Sequence, residues 1–120
     1  MKIYVAHSTN CDYVNEIYEP IRANGDLKKY DIILPHEEND FLHTRDYYSN
    51  FDLAICEVSN ASTGLGIELG FLYDSNVPIY CFYKKGSHYS KAIQAITESI
   101  FTYEDTVDFI NKIKKIIESR

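Results

Sequence analysis

The sequence predicts an α/β domain with a five-stranded parallel sheet in the flavodoxin-like order 2-1-3-4-5 and helices on both faces. Three observations lead there. Short apolar runs alternate with helically spaced ones along the chain, the pattern of parallel strands joined by right-handed crossovers. One run, Leu53 to Val58, is largely apolar, as a strand covered on both faces requires. The 120 residues, 45% of them hydrophobic, fit one modest core, so 1–120 reads as a single domain.

The elements follow in order. Lys2 to Ala6 is the first strand, and His7-Ser8-Thr9-Asn10 is the polar loop after it. Asp12 to Asn24 carries Val14, Ile17, Tyr18 and Ile21 at helical spacing and stops at Asn24-Gly25. Pro20 removes a backbone donor inside that run and predicts a kink or break. Asp31 to Leu34 is the second strand, closed by Pro35-His36. Residues 37–43 read as loop, and Thr44 to Phe51 as a short helix feeding the third strand.

Ser59 to Gly66 supplies turn residues, and Ile67 to Tyr73 resumes helical character. Pro78 to Tyr83 is the fourth strand, followed by the Lys84-Lys85-Gly86-Ser87 turn and a helical piece from Ser90 to Ile96. Ile100 to Tyr103 is the fifth strand. Thr106 to Glu118 is an amphipathic helix with Val107, Ile110, Ile113, Ile116 and Ile117 on one stripe.

Composition narrows the function. A net charge of −6 argues against a broad nucleic-acid-binding surface, though a small pocket can still hold one phosphate. The expected partners are small molecules or protein chains. Cys11, Cys56 and Cys81 are odd in number, lack a C-x-x-C pair and read as reduced thiols of a cytosolic protein. No signal peptide precedes the first strand, and no apolar run approaches membrane-spanning length. His43 and His88 lack metal-like spacing and read as surface residues, and no other grouping of His, Cys and carboxylates argues for zinc.

The turn after the third strand concentrates the chemistry. Gly64-Leu65-Gly66-Ile67-Glu68-Leu69-Gly70 is one residue longer than the dinucleotide fingerprint and follows an internal strand, and no phosphate-loop lysine motif occurs. A nicotinamide cofactor or nucleoside triphosphate is therefore not expected. Glu68 is placed in the first turn of a helix at the carboxyl end of a strand, where open α/β sheets bind ligands. It is either a helix-start acid, favoured by the dipole, or a functional carboxylate. Strands one and three are neighbours in the predicted order, so Tyr4, Ser8 and Glu68 should flank one crevice.

These residues resemble the nucleoside 2-deoxyribosyltransferase superfamily, most closely its 2'-deoxynucleoside 5'-phosphate N-hydrolase branch. The resemblance runs from residue 2 to about 96. It is carried by Ile3-Tyr4-Val5 and by Glu57-Val58 through Ser62 to Gly64-x-Gly66-x-Glu68-Leu69-Gly70. It implies Glu68 as nucleophile and Tyr4 as the residue that orients it; from the motifs above, no cofactor and no metal is expected. Such a carboxylate attacks the anomeric carbon through an oxocarbenium-like transition state and forms a covalent sugar ester, which water or a second base resolves.

The resemblance further implies Ser8, Ser62 and Ser90 around the 5'-phosphate, beside the turn of Gly64 and Gly66. Ser90 would reach in from the second subunit of a homodimer, and His36 would stand near the base. Transferases tend to carry an acid at the position of Ser62, which would repel a phosphate. The sequence departs from the branch in two places. Asn10 stands where the branch has an arginine and His7 where it has a glycine, so His7 is a candidate to replace part of the missing charge. The family aspartate maps to Thr44, not Asp46; two helical residues are about 200° of rotation, so Asp46 can serve only if its helix has slipped or shortened.

The resulting expectation is an N-glycosidase acting on 2'-deoxynucleoside 5'-monophosphates. Two alternatives stay open: a nucleoside 2-deoxyribosyltransferase, and a nucleotide-binding or sensing domain that has lost turnover.

Overall fold

The structure is a computed structural model that describes residues 1–37 and 44–120. The loop read at 37–43 therefore lies outside the described residues except at Glu37, and His43 lies outside them too. Strands β1 (Lys2–His7), β2 (Asp31–Ile33), β3 (Leu53–Glu57), β4 (Ile79–Lys84) and β5 (Ile100–Tyr103) form one sheet in the order β2-β1-β3-β4-β5. Every pairing is parallel. Both the predicted order and the predicted class are what the structure has.

Strand alternation divides the interior into two cores. Ile3, Val5, Leu53, Ile55 and Phe82 face one way and meet Phe109 and Ile113. Tyr4, Ala6, Ala54, Cys56 and Cys81 face the other way and meet Leu65, Leu69 and Leu72. All five residues of β3 are buried, so its apolar run is covered on both sides. Cys56 and Cys81 are buried free thiols in register on adjacent strands. Among the described residues no helix is long and apolar enough to cross a membrane.

The helices differ from expectation in ways that matter for the site. The run from Asp12 to Asn24 is a π-helical turn, Val14–Tyr18, followed by α1 (Glu19–Ala23). Pro20 is the second residue of α1 and directly follows the π-helical turn, so the change of winding falls where a residue without an N–H enters the helix. The wider turn swings Val14 out to solvent, although helical spacing placed it inward with Ile17, Tyr18 and Ile21.

Helix α2 (Thr63–Asp74) begins earlier than the expected Ile67, because Ser62 caps it: its Oγ accepts from the Leu65 N–H at 3.3 Å. The predicted turn thus ends at Ser62, and Gly64 and Gly66 lie inside the helix. Neither glycine has a positive φ, and a Cβ at either would meet nothing within 4 Å. The conformational freedom that the two glycines suggested is not used within the chain; they leave the outer surface of the first turns bare.

Helix α3 (Thr106–Glu118) is capped by Asp105, which accepts from the Asp108 N–H. It buries Phe109, Ile110, Ile113 and Ile117, while Val107 is 70% exposed. Three-residue steps fall about 60° short of a full turn, which carries Val107 roughly 100° from the centre of the buried stripe. Ile113→Ala should therefore cost about 2–5 kcal/mol in urea unfolding. Val107→Ala should stay within about 0.5 kcal/mol of the parent; equal losses would contradict this packing.

Candidate functional site

The carboxyl ends of β1 and β3 lie side by side, with His7 in register with Glu57. Tyr4 projects from β1 toward α2. From α2, Leu65, Leu69 and Leu72 pack inward, and Glu68 shares their stripe at the i, i+3, i+4, i+7 spacing. The two meet: the Tyr4 hydroxyl donates to Glu68 Oε2 at 3.0 Å. Glu68 lies in the second turn of α2 rather than the first, so Tyr4, not the helix dipole, is its principal support.

Burial pushes the Glu68 carboxyl above its ordinary range, while the Tyr4 hydrogen bond and the nearby His36 pull it down. A half-buried carboxylate with one strong donor is reactive toward an electrophilic carbon once ionised. The Tyr4 phenol is driven upward by its own burial and then by the Glu68 charge, so it remains a donor.

Tyr48 is a neighbour of the Tyr4–Glu68 pair that sequence reasoning missed. It is buried, its ring lies 5.3 Å from that of Tyr4, and its hydroxyl couples to the Tyr4 hydroxyl. Burial and the Glu68 charge push its phenol up to about 12. Phe51 closes the same wall, with its ring centre 4.9 Å from Tyr4. The signal was the three-residue period of the turn Arg45–Asn50: Tyr48 and Phe51 share its inner edge, whereas Asp46 and Ser49 share its outer edge.

Asp46 is accordingly exposed, and its carbonyl accepts the Ser49 hydroxyl. Thr44 is exposed at the start of the turn. Among the described residues neither is hydrogen-bonded to Glu68. The shortened helix on which a role for Asp46 depended is present, yet its pitch turns Asp46 outward.

His7 ends β1 instead of opening the loop, and only 5% of it is exposed. Its Nδ1 lies 2.9 Å from the Ser8 carbonyl, which can only accept, so the proton sits on Nδ1 and Nε2 accepts from the Tyr18 hydroxyl at 2.6 Å. Burial lowers its pKa to about 4. At neutral pH His7 is uncharged, so the cationic role that would replace the missing arginine is closed to it.

His36 lies in the turn Pro35–Glu37, with its ring 5.4 Å from those of His7 and Tyr13. Ser8 is buried, and its Oγ accepts from the Asn10 N–H at 3.0 Å. Ser62 and Ser90 line a different space, a cavity of about 240 Å³ between α2 and the short helix Lys91–Ala95. Gly66, Leu69 and Ile93 are among its other lining residues, and neither Tyr4 nor Glu68 lines it. Ser90 is exposed and caps that short helix through the Ala92 N–H. The structure thus joins Tyr4 to Glu68, His7 to His36, and Ser62 to Ser90.

Glu57 holds the loop between these groups. It is buried and accepts from the Ser59 N–H at 2.6 Å, the Ser59 hydroxyl and the Tyr103 hydroxyl. Among the described residues no cluster of three or more His, Cys, Asp or Glu could hold a metal ion.

By sequence, no family model and no curated protein matches the chain. By structure, it is similar to the CMP N-glycosidase BcmB of Clostridium botulinum, with a TM-score of 0.64 over 95% of this chain and 99% of that one. The chain has a nucleoside 2-deoxyribosyltransferase-like fold. Identity between the two is 15%, so the likeness carries the architecture, and the chemistry must be argued from the residues above.

The buried His7 makes one measurable demand. Its pKa is about 6.5 unfolded and about 4 folded, so between those values the unfolded chain binds the extra proton and the folded chain does not. Its contribution is complete above about pH 6.5 and is lost as pH falls toward about 4, by roughly 3 kcal/mol. In urea titrations at about pH 7 and about pH 4.5, the parent should lose some 2–3 kcal/mol more than His7→Gln. Parallel losses in the two proteins would show that His7 titrates normally.

Proposed function

We propose that this protein is an N-glycosidase that cleaves the base–sugar bond of nucleoside 5'-monophosphates, 2'-deoxynucleoside 5'-monophosphates foremost. The observation that carries the reading is the Tyr4–Glu68 hydrogen bond, which joins β1 to the helix that follows its neighbour β3. It supplies an oriented carboxylate where an open α/β sheet receives its ligand. The solved structure with a similar fold is described as that of a CMP N-glycosidase, which favours hydrolysis of a monophosphate over base exchange.

The chemistry follows from the residue types. Ionised Glu68 attacks the anomeric carbon as the bond to the base breaks; the electron pair leaves with the base, which takes up a proton. Water then attacks the sugar ester and returns Glu68 as carboxylate. Tyr4 holds the attacking carboxylate in place, and Tyr48 holds Tyr4. The Ser62 hydroxyl and the amino end of α2 suit a phosphate; Ser90 shares a cavity with Ser62, and Ser8 lies apart from both, buried after β1. The same reading implies a homodimer in which Ser90 serves the partner's site. The outer side of α2, with Gly66, Gly70 and the half-exposed Ile67 and Tyr73, is bare enough to seat a second copy.

A second reading, a nucleotide-binding domain without turnover, is favoured by one observation: Thr44 and Asp46 are exposed and unattached to Glu68. Incubation with CMP, dCMP and the other nucleosides and monophosphates, with and without an acceptor base, separates the possibilities. Free base released without acceptor, and abolished by a folded Glu68→Gln, is the expected result. Ser62→Asp should weaken monophosphate binding at least tenfold more than nucleoside binding, since a charge then opposes the dianion. Binding without base release from any substrate would leave the sensing domain, and exchange only with acceptor would indicate the transferase.

A further inference from the structure

Backbone bonds join β3 to β4 as far as the Val58 N–H, which donates to the Phe82 carbonyl at 2.8 Å. Two residues further along β4 the acceptor changes. The Lys84 N–H donates at 2.8 Å to a side chain, the hydroxyl of Ser59, just where the chain leaves β3 for α2. That hydroxyl donates in turn to Glu57 Oε2 at 3.1 Å, and the Ser59 N–H donates to Glu57 Oε1 at 2.6 Å. Ser59 is thus held at two atoms by a buried carboxylate, and one of the two also fastens β4.

Both segments that leave this junction run to the serine-lined cavity. On either side of Ser59, Val58 and Ala61 line it, and so does Ser62, the cap of α2. After Lys84 the chain turns at Gly86, whose φ of 91° suits glycine, and the Ser87 N–H returns to the Lys84 carbonyl at 2.9 Å. Tyr89 then packs on Tyr83 with ring centres 4.9 Å apart, which brings the adjoining Ser90 to the facing wall beside Ile93. We infer that Ser59 is a positioning residue of this cavity: its hydroxyl fixes the wall that carries Ser62 against the wall that carries Ser90. Ser59 does not itself line the space. The consequence for a monophosphate, held by Ser62 and the amino end of α2, rests on the function proposed above, whereas the fastening of the two walls does not.

Ser59→Ala removes the hydroxyl and keeps the N–H bond to Glu57, while Ser59→Thr keeps both. In folded Ser59→Ala the Lys84 amide should exchange with solvent about tenfold faster, and the backbone amide signals of Ser62 and Ser90 should both move. In Ser59→Thr all three should stay close to the parent. Calorimetric titration should show CMP or dCMP bound about tenfold more weakly by Ser59→Ala, with the matching nucleoside within about twofold. A role confined to stability would lower the unfolding midpoint and leave the Ser62 and Ser90 signals unmoved, which overturns the inference. Signals that move while the ratio of the two affinities holds would overturn the link to the phosphate. Should Ser59→Ala not fold, Glu57→Gln serves in its place: it keeps an acceptor at only one of the two oxygen positions, so the Ser59 N–H and hydroxyl cannot both be held, and the same signals should move. If the parent binds no monophosphate, the proposed function fails, and the Ser62 and Ser90 signals still decide the role of Ser59.

Discussion

Placing a carboxylate where α2 packs on the sheet carries a desolvation cost, and the hydrogen bond from Tyr4 is what offsets it. The rest of the site can be read as the support of that one bond. Tyr4 is completely buried, so its direction is set by β1 below and by Tyr48 and Phe51 beside it. Glu68 is set by the leucine stripe of α2. Strand order makes the meeting possible, because β1 and β3 are neighbours although their sequences are about fifty residues apart. A donor of this kind orients a carboxylate and tempers the rise in its pKa without neutralising it.

The two faces of the sheet divide the labour. On the α2 side stand the carboxylate, its phenols and the serine-lined cavity. On the α1 and α3 side, polar groups at the strand ends are matched inside the protein: His7 by Ser8 and Tyr18, and Glu57 by Ser59 and Tyr103. These networks shape the crevice without supplying positive charge. A phosphate held here would depend on hydroxyls and helix N–H groups rather than on an ion pair with His7.

Much of the architecture was legible because it rests on patterns longer than any one residue. Alternating strand and helix periodicities suffice for a parallel sheet, and its usual winding for the strand order. What misled the reading was local. Gly64 and Gly66 read as turn, whereas the cap at Ser62 had already started the helix. Val14 and Val107 were assigned inward by regular helical spacing, one undone by a π-helical turn and the other by phase drift. That Tyr4 and Glu68 meet was legible from the fold and the resemblance. Tyr48 was not, since its inward direction depends on a tight three-residue helix that the sequence did not distinguish from an ordinary one. His7 was misjudged in charge because burial and tautomer are properties of its neighbours.

The central claim is that Glu68 is the nucleophile, and a trapped intermediate tests it most directly. A 2-deoxy-2-fluoro nucleoside 5'-monophosphate with an activated leaving base should form the sugar ester but release it slowly, because fluorine destabilises the oxocarbenium-like transition states of both steps and the activated base speeds only the first. Intact-mass and peptide mass spectrometry of the incubated protein should show one sugar-phosphate adduct, carried by the peptide that contains Glu68 and absent from Glu68→Gln. Base release with no adduct, or an adduct on another residue, would contradict the account.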